Sequence, residues 1–405
     1  MKINVILSGL NTNQFNKDSG GIELAEISFA KEASKHVEVK VYARSNKTEL
    51  RKVDGLYVQE IAPDFKTTLG GISESLPYNL KLINLLGSEL HESNNIIHFT
   101  SVGPASVFFN HYLNYLHHLK VRSPVIFYTL HNYHYAIANS AFDIFKNYQS
   151  EWKYLHNVEK NIILEAGCVL VTCEDYAEEL TKRFHRKIEY IPNTIGSIHN
   201  YDVSNIKTPY HVILSISRLS SEKNLFRQIA AFRKALNKDK HIRLIIAGDG
   251  QLLKSLVSFS KIMKLRVHVR NYTEQINNIE NMIEGNDIIF TGRVSGVDKS
   301  YVWNLSDVLL CPSLREVSPL IGLEAMVYGK TIIGSKIPGW IDYYKKGAKV
   351  YLTNPLSTIQ IAKNIINTKE EESKEVMYTN HKIYKKYYSP EKVVPIRLEI
   401  CNRYL

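Results

Sequence analysis

The chain has 405 residues, 44% of them hydrophobic and 22% charged. That is long enough for two or three domains and too apolar for a disordered or collagen-like chain. Lys and Arg outnumber Asp and Glu by 51 to 40, and the excess is one-sided. Residues 1–200 hold 20 basic and 21 acidic side chains, whereas residues 201–405 hold 31 and 19. The second half therefore has the field to attract an anion; charge alone does not choose between nucleic acid, lipid headgroups and a phosphorylated small molecule. Four cysteines exclude a disulfide scaffold, and Cys168-x4-Cys173 has no second pair at zinc-finger spacing, so reduced, buried thiols are expected. No apolar run reaches the ~18–20 residues that span a bilayer. Met1–Ser8 reads as a strand rather than a signal peptide. The expected location is cytoplasmic, compatible with peripheral contact at the inner face of the cytoplasmic membrane.

Short β-rich runs alternate with helical stretches. The strands expected in the first half are Ile3–Leu7, Val37–Tyr42, Ile96–Phe99, Val125–Leu130, Val169–Thr172 and Ile188–Ile191, with helices at Ile22–Ser34, Gln149–Glu165 and Asp175–Phe184. Residues 196–209, within a stretch rich in Asn, Ser and Thr, read as a linker. The alternation then restarts, with strands at His211–Ile216, Ile242–Ala247, Asp287–Phe290, Val308–Cys311 and Thr331–Ile333. The second set of helices is expected at Asn224–Ala235, Gln251–Lys264, Leu320–Tyr328 and Thr358–Asn367. This pattern predicts two Rossmann-like α/β domains, residues 1–195 and 210–388, facing a cleft. Ser389 and Pro390 signal a last helix over 389–405, which Pro395 should kink or end.

Two segments carry chemistry. Ser217-Arg218-Leu219-Ser220-Ser221-Glu222-Lys223-Asn224 follows a strand and precedes a helix, where open α/β sheets bind ligands. Arg218 and Lys223 suit a diphosphate, one through a planar fork and the other as a point charge. Glu316-Val317-Ser318-Pro319-Leu320-Ile321-Gly322-Leu323-Glu324 also follows a strand and opens a helix. Ser318, Leu320 and Ile321 offer backbone N–H groups to a phosphate, and Pro319 has none. The two carboxylates suit sugar hydroxyls. Taken separately, a turn flanked by surface cations and a dipole-facing Glu would explain each segment equally well.

In order, Arg218-x4-Lys223, Ala247-Gly248-Asp249-Gly250, Phe290-Thr291-Gly292-Arg293-Val294 and Glu316-x7-Glu324 with Gly329 resemble the retaining glycosyltransferases of family four, which have the GT-B fold. The resemblance is specific over residues 211–345 and looser before them. It implies a donor site with Arg218, Lys223 and the Ser318–Ile321 turn on the diphosphate. Glu316 is implied on the hexose, Glu324 on the ribose, and Gly292, Arg293 and Val294 on the base. In the first half it implies that Gly20 and Gly21 let the backbone approach donor or acceptor, and that His131 lies close to the donor sugar. Thr194 replaces a family Gly after Ile191-Pro192-Asn193, Asn132 stands where many members have Asp, and Arg266–Asn286 look like an insertion.

The resulting expectation is a retaining, metal-independent hexosyltransferase. A nucleotide sugar, by preference a UDP-sugar, serves as co-substrate, with no further cofactor. The acceptor would be a glycan or lipid-linked molecule of a bacterial envelope. No Asp-x-Asp motif calls for a metal, and His131 with His134 has no further ligands in line. A GT-B epimerase or a catalytically silent GT-B subunit are the alternatives. Nucleic acid is not an expected partner, and the absence of G-x-G-x-x-G after the first strand argues against an NAD enzyme.

Overall fold

A computed structural model describes residues 1–11, 21–62, 76–86, 94–100, 125–131, 157, 159–196, 208–271, 276–370 and 373–405. Two compact units emerge, one of Met1–Gly196 with Ser389–Leu405 and one of Ser197–Tyr388. Gly20, Asn132 and His134 lie outside the described residues, as does most of the 196–209 segment.

The first unit is built on an eight-stranded sheet. Its strands are β1 (Lys2–Asn11), β2 (Glu38–Arg44), β3 (Glu49–Val53), β4 (Leu56–Ile61), β5 (Asn95–Phe99), β6 (Val125–Leu130), β7 (Cys168–Val171) and β8 (Glu189–Tyr190). Their order is β3-β4-β2-β1-β5-β6-β7-β8, all parallel except β3 against β4. The β3–β4 hairpin was not expected from the sequence. Its turn is Asp54-Gly55, with φ of 47° and 87°, the doubly positive geometry that Asp-Gly adopts in tight hairpins. Strand order reverses at β1, whose neighbours are β2 and β5. Helix Gly21–Ala33 follows β1 and buries Ala25, Phe29, Ala30 and Ala33, a stripe at the 3–4-residue spacing of one helix face.

The last helix, Pro390–Tyr404, belongs to this unit. Ser389 is its N-cap and Pro390 stands in its first turn. It does not end at Pro395. Val393, Val394, Leu398 and Cys401 join the same core as Phe29 and Ala30, and this burial outweighs the one helical hydrogen bond that Pro395 forfeits on the exposed face. Within that apolar stripe sits Arg397, which forks onto the buried Glu26 at 2.9 and 3.2 Å and lies 3.7 Å over the Phe29 ring. Burial alone would raise the Glu26 carboxyl. Arg397, with His98 and His131, overrides it and holds the group well below the usual carboxylate range.

The second unit has seven parallel strands: β9 (His211–Ile216), β10 (Ile242–Ala247), β11 (Val267–Val269), β12 (Ile288–Gly292), β13 (Val308–Cys311), β14 (Thr331–Ser335) and β15 (Val350–Thr353). Their order is β11-β12-β10-β9-β13-β14-β15. β10 is buried along its whole length, as expected for a parallel strand covered on both faces. Helices Leu225–Lys238 and Thr358–Asn367 cover one side of the core. Within the segment 266–286, Val267–Val269 form edge strand β11, paired with β12, and Ile279–Gly285 form a helix; Arg266 ties the start of the segment to Asp287 at 2.7 Å. Strand order reverses at β9, which lies between β10 and β13.

Two stability tests follow from the C-terminal helix. Pro395→Ala restores one backbone donor in an exposed position and should stabilise the first unit by ~1–3 kcal/mol, net of the looser unfolded chain; an unchanged or lowered melting temperature would contradict a continuous helix. Glu26, being depressed when folded, contributes stability in full above the unfolded value near 4.5, and that contribution drains away as pH falls below it. Urea unfolding of the wild type and of Glu26→Gln should therefore differ in pH slope by ~1.4 kcal/mol per unit in acid. Parallel slopes would mean that Glu26 is not held charged.

Candidate functional site

In open α/β sheets the loops at the carboxyl ends of strands diverge where the order reverses, and ligands bind there. In the second unit this point is the pair β9 and β13. Arg218 and Lys223 follow β9, and Glu316 follows β13. Lys223 Nζ donates to Glu316 Oε1 at 2.7 Å, with side chains only 19% and 13% exposed. Burial alone would lower the Lys223 ammonium; Glu316 outweighs it and the net shift is upward, so the cation stays charged. Arg218 is 82% exposed, reaching Glu222 at 3.5 Å.

The two loops are stitched together beneath this pair. Asn224 adopts φ 60° and its side-chain amide donates to the carbonyls of Pro312 at 3.0 Å and Pro355 at 2.7 Å. The Leu314 N–H donates to the Glu222 carbonyl at 2.8 Å. Gly248 permits a third loop to close on the first. A Cβ there would stand 1.8 Å from the Ser217 carbonyl oxygen, so only glycine fits. The Leu219 N–H in turn bonds Asp249 O at 2.9 Å.

Helix Leu320–Val327 starts after Pro319, and the Gly322 N–H closes on the Pro319 carbonyl at 2.8 Å. The N–H groups of Leu320 and Ile321 come before it, in the first turn, where no helical carbonyl lies behind them. Val317-Ser318-Pro319 is supported from below by helix Pro338–Lys345. Tyr343 donates to the Pro319 carbonyl at 3.1 Å, and Gly339 lies so close that a Cβ would be 2.6 Å from Val317 O. That helix was not expected from the sequence, although Ile337-Pro338-Gly339 is a fair helix-start signal.

Glu324 is buried one turn into its helix. Lys299 Nζ donates to one carboxylate oxygen at 2.6 Å and the Trp303 indole to the other at 3.2 Å. Both come from helix Gly296–Leu305, an element missed in the sequence. Their i, i+4 spacing is the signal that could have found them. Gly292 ends β12 at φ 71° and its carbonyl accepts from the Gly248 N–H at 2.8 Å. The backbone of exposed Arg293 and buried Val294 continues beyond it. Thus Arg218, Lys223, Glu316, Ser318 and Gly292–Val294 lie at the carboxyl ends of the strands of one sheet or on the loops that follow them, and Leu320, Ile321 and Glu324 lie in the first turns of the helix that one of these loops opens.

The first unit holds a second constellation at the carboxyl ends of its strands. His131 directly follows β6 and is buried. Its Nε2 lies 2.9 Å from Glu26 Oε1. His98, at 2.7 Å from Thr129 Oγ1, is pushed down to about 3 by burial and by Arg397. Gly21 opens the helix that carries Glu26. Glu26, His98 and Arg397 were not expected as site residues; the signal available was a charged residue inside an apolar helical stripe.

Among the described residues no helix is long and apolar enough to cross a membrane. Residues 199–385 match the family model for glycosyl transferases group 1. The alpha-monoglucosyldiacylglycerol synthase of Streptococcus pneumoniae is 24% identical over 192 residues, covering 46% of this chain and 39% of that protein. The chain thus matches less than half the length of this curated relative. Among solved structures, Anabaena Alr3699/HepE in complex with UDP and glucose superposes with a TM-score of 0.69 at 16% identity, covering 100% of both chains. Sucrose-phosphate synthase from Thermosynechococcus elongatus superposes with a TM-score of 0.72 at 14% identity, over 99% of this chain and 98% of that one. Arg218, Lys223, Glu316 and Glu324 all fall inside the stretch, residues 199–385, that is similar to the glycosyl transferases group 1 family, and the two α/β units have the GT-B fold.

Proposed function

We propose that the chain is a retaining glycosyltransferase that moves a hexose from a nucleotide diphosphate sugar to a hydroxyl acceptor. The observation that carries this is the charged, mostly buried Lys223–Glu316 pair at the strand-order switch of the second unit. An anion and a polyol find complementary groups side by side there. The bond from the anomeric carbon to the diphosphate oxygen breaks, its electron pair going to that oxygen, and a bond to the acceptor oxygen forms as the hydroxyl proton passes to the departing diphosphate. Negative charge grows on the departing diphosphate. Lys223 and Arg218 supply full positive charge to it, and the Leu320 and Ile321 N–H groups supply partial charge. This electrostatic set is fixed before reaction and requires no metal in the proposal.

Glu316 is assigned to the hexose hydroxyls and Glu324 to the ribose. Lys299 and Trp303 leave Glu324 with free lone pairs but a fixed orientation. His131 is assigned as a polar contact to the sugar substrate. A UDP-hexose is the favoured donor, supported by a structural neighbour solved with UDP and glucose. A bacterial glycan or lipid-linked acceptor is favoured by the likeness to a glucosyldiacylglycerol synthase, and the first unit is assigned to bind it. A location at the inner face of the cytoplasmic membrane goes with such an acceptor.

The division between the two glutamates can be measured. Calorimetry with free UDP, which lacks a hexose, should show Glu324→Gln binding at least ~10-fold more weakly. Glu316→Gln should bind as well as wild type or better, because Lys223 loses its competing anion. With UDP-glucose in excess chelator, Glu316→Gln should lower kcat ~100-fold for a loss of ~3 kcal/mol in transition-state stabilisation. Loss of UDP binding in the Glu316 variant with retention in the Glu324 variant would reverse the assignment. Transfer that stops in chelator and returns with Mn²⁺ would overturn the metal-free electrostatics.

A further inference from the structure

A cleft of about 450 Å³ opens at the amino ends of β9, β13 and β14, the opposite end of the sheet from the Lys223–Glu316 loops. The rule that places ligands at carboxyl ends of strands does not account for it. His211 opens β9, Asp307 stands just before β13 and Lys330 just before β14, and Tyr328, Lys369 and Met377 line the cleft further. All of these residues belong to the second unit.

Lys330 is the informative residue. Its Nζ donates to the Ser306 carbonyl at 2.5 Å. An ammonium has three donors, and among the described residues no second acceptor and no carboxylate contacts this one. Burial pushes the ammonium down from its ordinary value, against the pull of Asp307. Asp307 is engaged elsewhere. Its Oδ2 accepts from the Val212 N–H at 2.7 Å and lies 3.5 Å from His211 Nδ1. A lysine withdrawn from water is normally paired, because the lost hydration must be replaced. The dipole of helix Leu320–Val327, which ends just before Lys330, favours a cation there but is weaker than the desolvation of an ammonium.

The walls are fixed before any ligand arrives. The Lys330 N–H donates to the Ala325 carbonyl at 2.8 Å, and its own carbonyl accepts from Asn380 Nδ2 at 2.8 Å. The Tyr328 hydroxyl bonds Ser300 Oγ at 2.9 Å and its ring stacks on Trp303. His211 Nε2 meets Thr368 Oγ1 at 3.2 Å. Lys369 is exposed and reaches Asp239 at 2.5 Å, a surface pair that a dianion can displace. Preorganised walls spare a ligand the cost of ordering them.

The chemistry of the walls names the ligand. Lys330 and Lys369 act as point charges, the way lysines bind phosphate. Asp307 repels a second anionic group and accepts from a hydroxyl. Val376 and Met377 offer apolar contact to a short carbon chain. The volume lies within the roughly 300–1,000 Å³ of small-molecule sites. We propose that this cleft binds a small hydroxylated phosphate monoester, with its phosphate on Lys330 and Lys369 and a hydroxyl on Asp307, at a site separate from the nucleotide loops. This site is independent of the function proposed above.

Calorimetry on the full chain with glycerol 3-phosphate tests it. Wild type should bind with a Kd of ~1 mM or tighter. Lys330→Met keeps the apolar stem, removes the charge and should weaken binding ~10-fold or more. Lys369→Glu, a change on the surface, should weaken it as well, and decides alone if Lys330→Met does not fold. Arg218→Ala, in the nucleotide loops, should leave the Kd within ~2-fold. Inorganic phosphate should bind more weakly than glycerol 3-phosphate, and citrate more weakly still. No binding in wild type up to ~10 mM overturns the proposal. So does citrate binding as tightly as glycerol 3-phosphate, or binding undiminished in the folded cleft variants. Binding lost in Arg218→Ala and kept in Lys330→Met would put the anion in the nucleotide loops and refute the second site.

Discussion

The second unit is organised around a mostly buried ion pair, Lys223–Glu316. Two charges withdrawn from water carry a desolvation penalty that only close geometry offsets, and deleting either partner strands the other at ~3–5 kcal/mol. The 2.7 Å contact is therefore possible only if the loops after β9 and β13 are held in fixed register. The molecule supplies that register by neutral means. Asn224 bridges to Pro312 and Pro355, Leu314 bonds Glu222, and glycines at 248 and 339 let backbones approach where a Cβ would clash. The sheet order does the rest, since β9 and β13 are hydrogen-bonded neighbours.

The first unit repeats the principle with different chemistry. Arg397 and Glu26 are buried and mutually dependent, and the surrounding polar side chains complete their hydrogen bonding. Because one partner stands on the last helix and the other on the first, the final residues of the chain are part of the unit formed by its beginning. An isolated surface pair would contribute little. This one also fixes an imidazole, so structure and the proposed chemistry share the same charges.

Most of the architecture was legible because parallel sheets bury their strands on both faces and write them as continuous apolar runs, as in Val308–Cys311. The switch-point loops were legible because Arg218, Lys223, Glu316 and Glu324 are chemically conspicuous after such runs. Edge elements were not. β3 is exposed along nearly its whole length, Gln59 and Glu60 interrupt the apolar residues of β4, and β11 has only three residues, so none has the continuous apolar run that marks a central strand. Pro395 misled because a local rule was weighed without the tertiary burial of Val394 and Leu398. The partners of the site residues, Lys299, Trp303, Glu26 and Arg397, were hidden for another reason. Each leaves only a weak signal in its local sequence, and its role is set by the residue it meets 21 to 371 positions away.

The central claim is that the switch point of the second unit binds a nucleotide diphosphate sugar through Lys223. Thermal unfolding with a panel of nucleotide sugars tests it most directly. The account predicts that a UDP-hexose at 100 times its Kd stabilises the wild type by ~2.7 kcal/mol. The same concentration should leave Lys223→Ala shifted by much less. No response to any nucleotide sugar, or an equal response in the variant, would contradict the account.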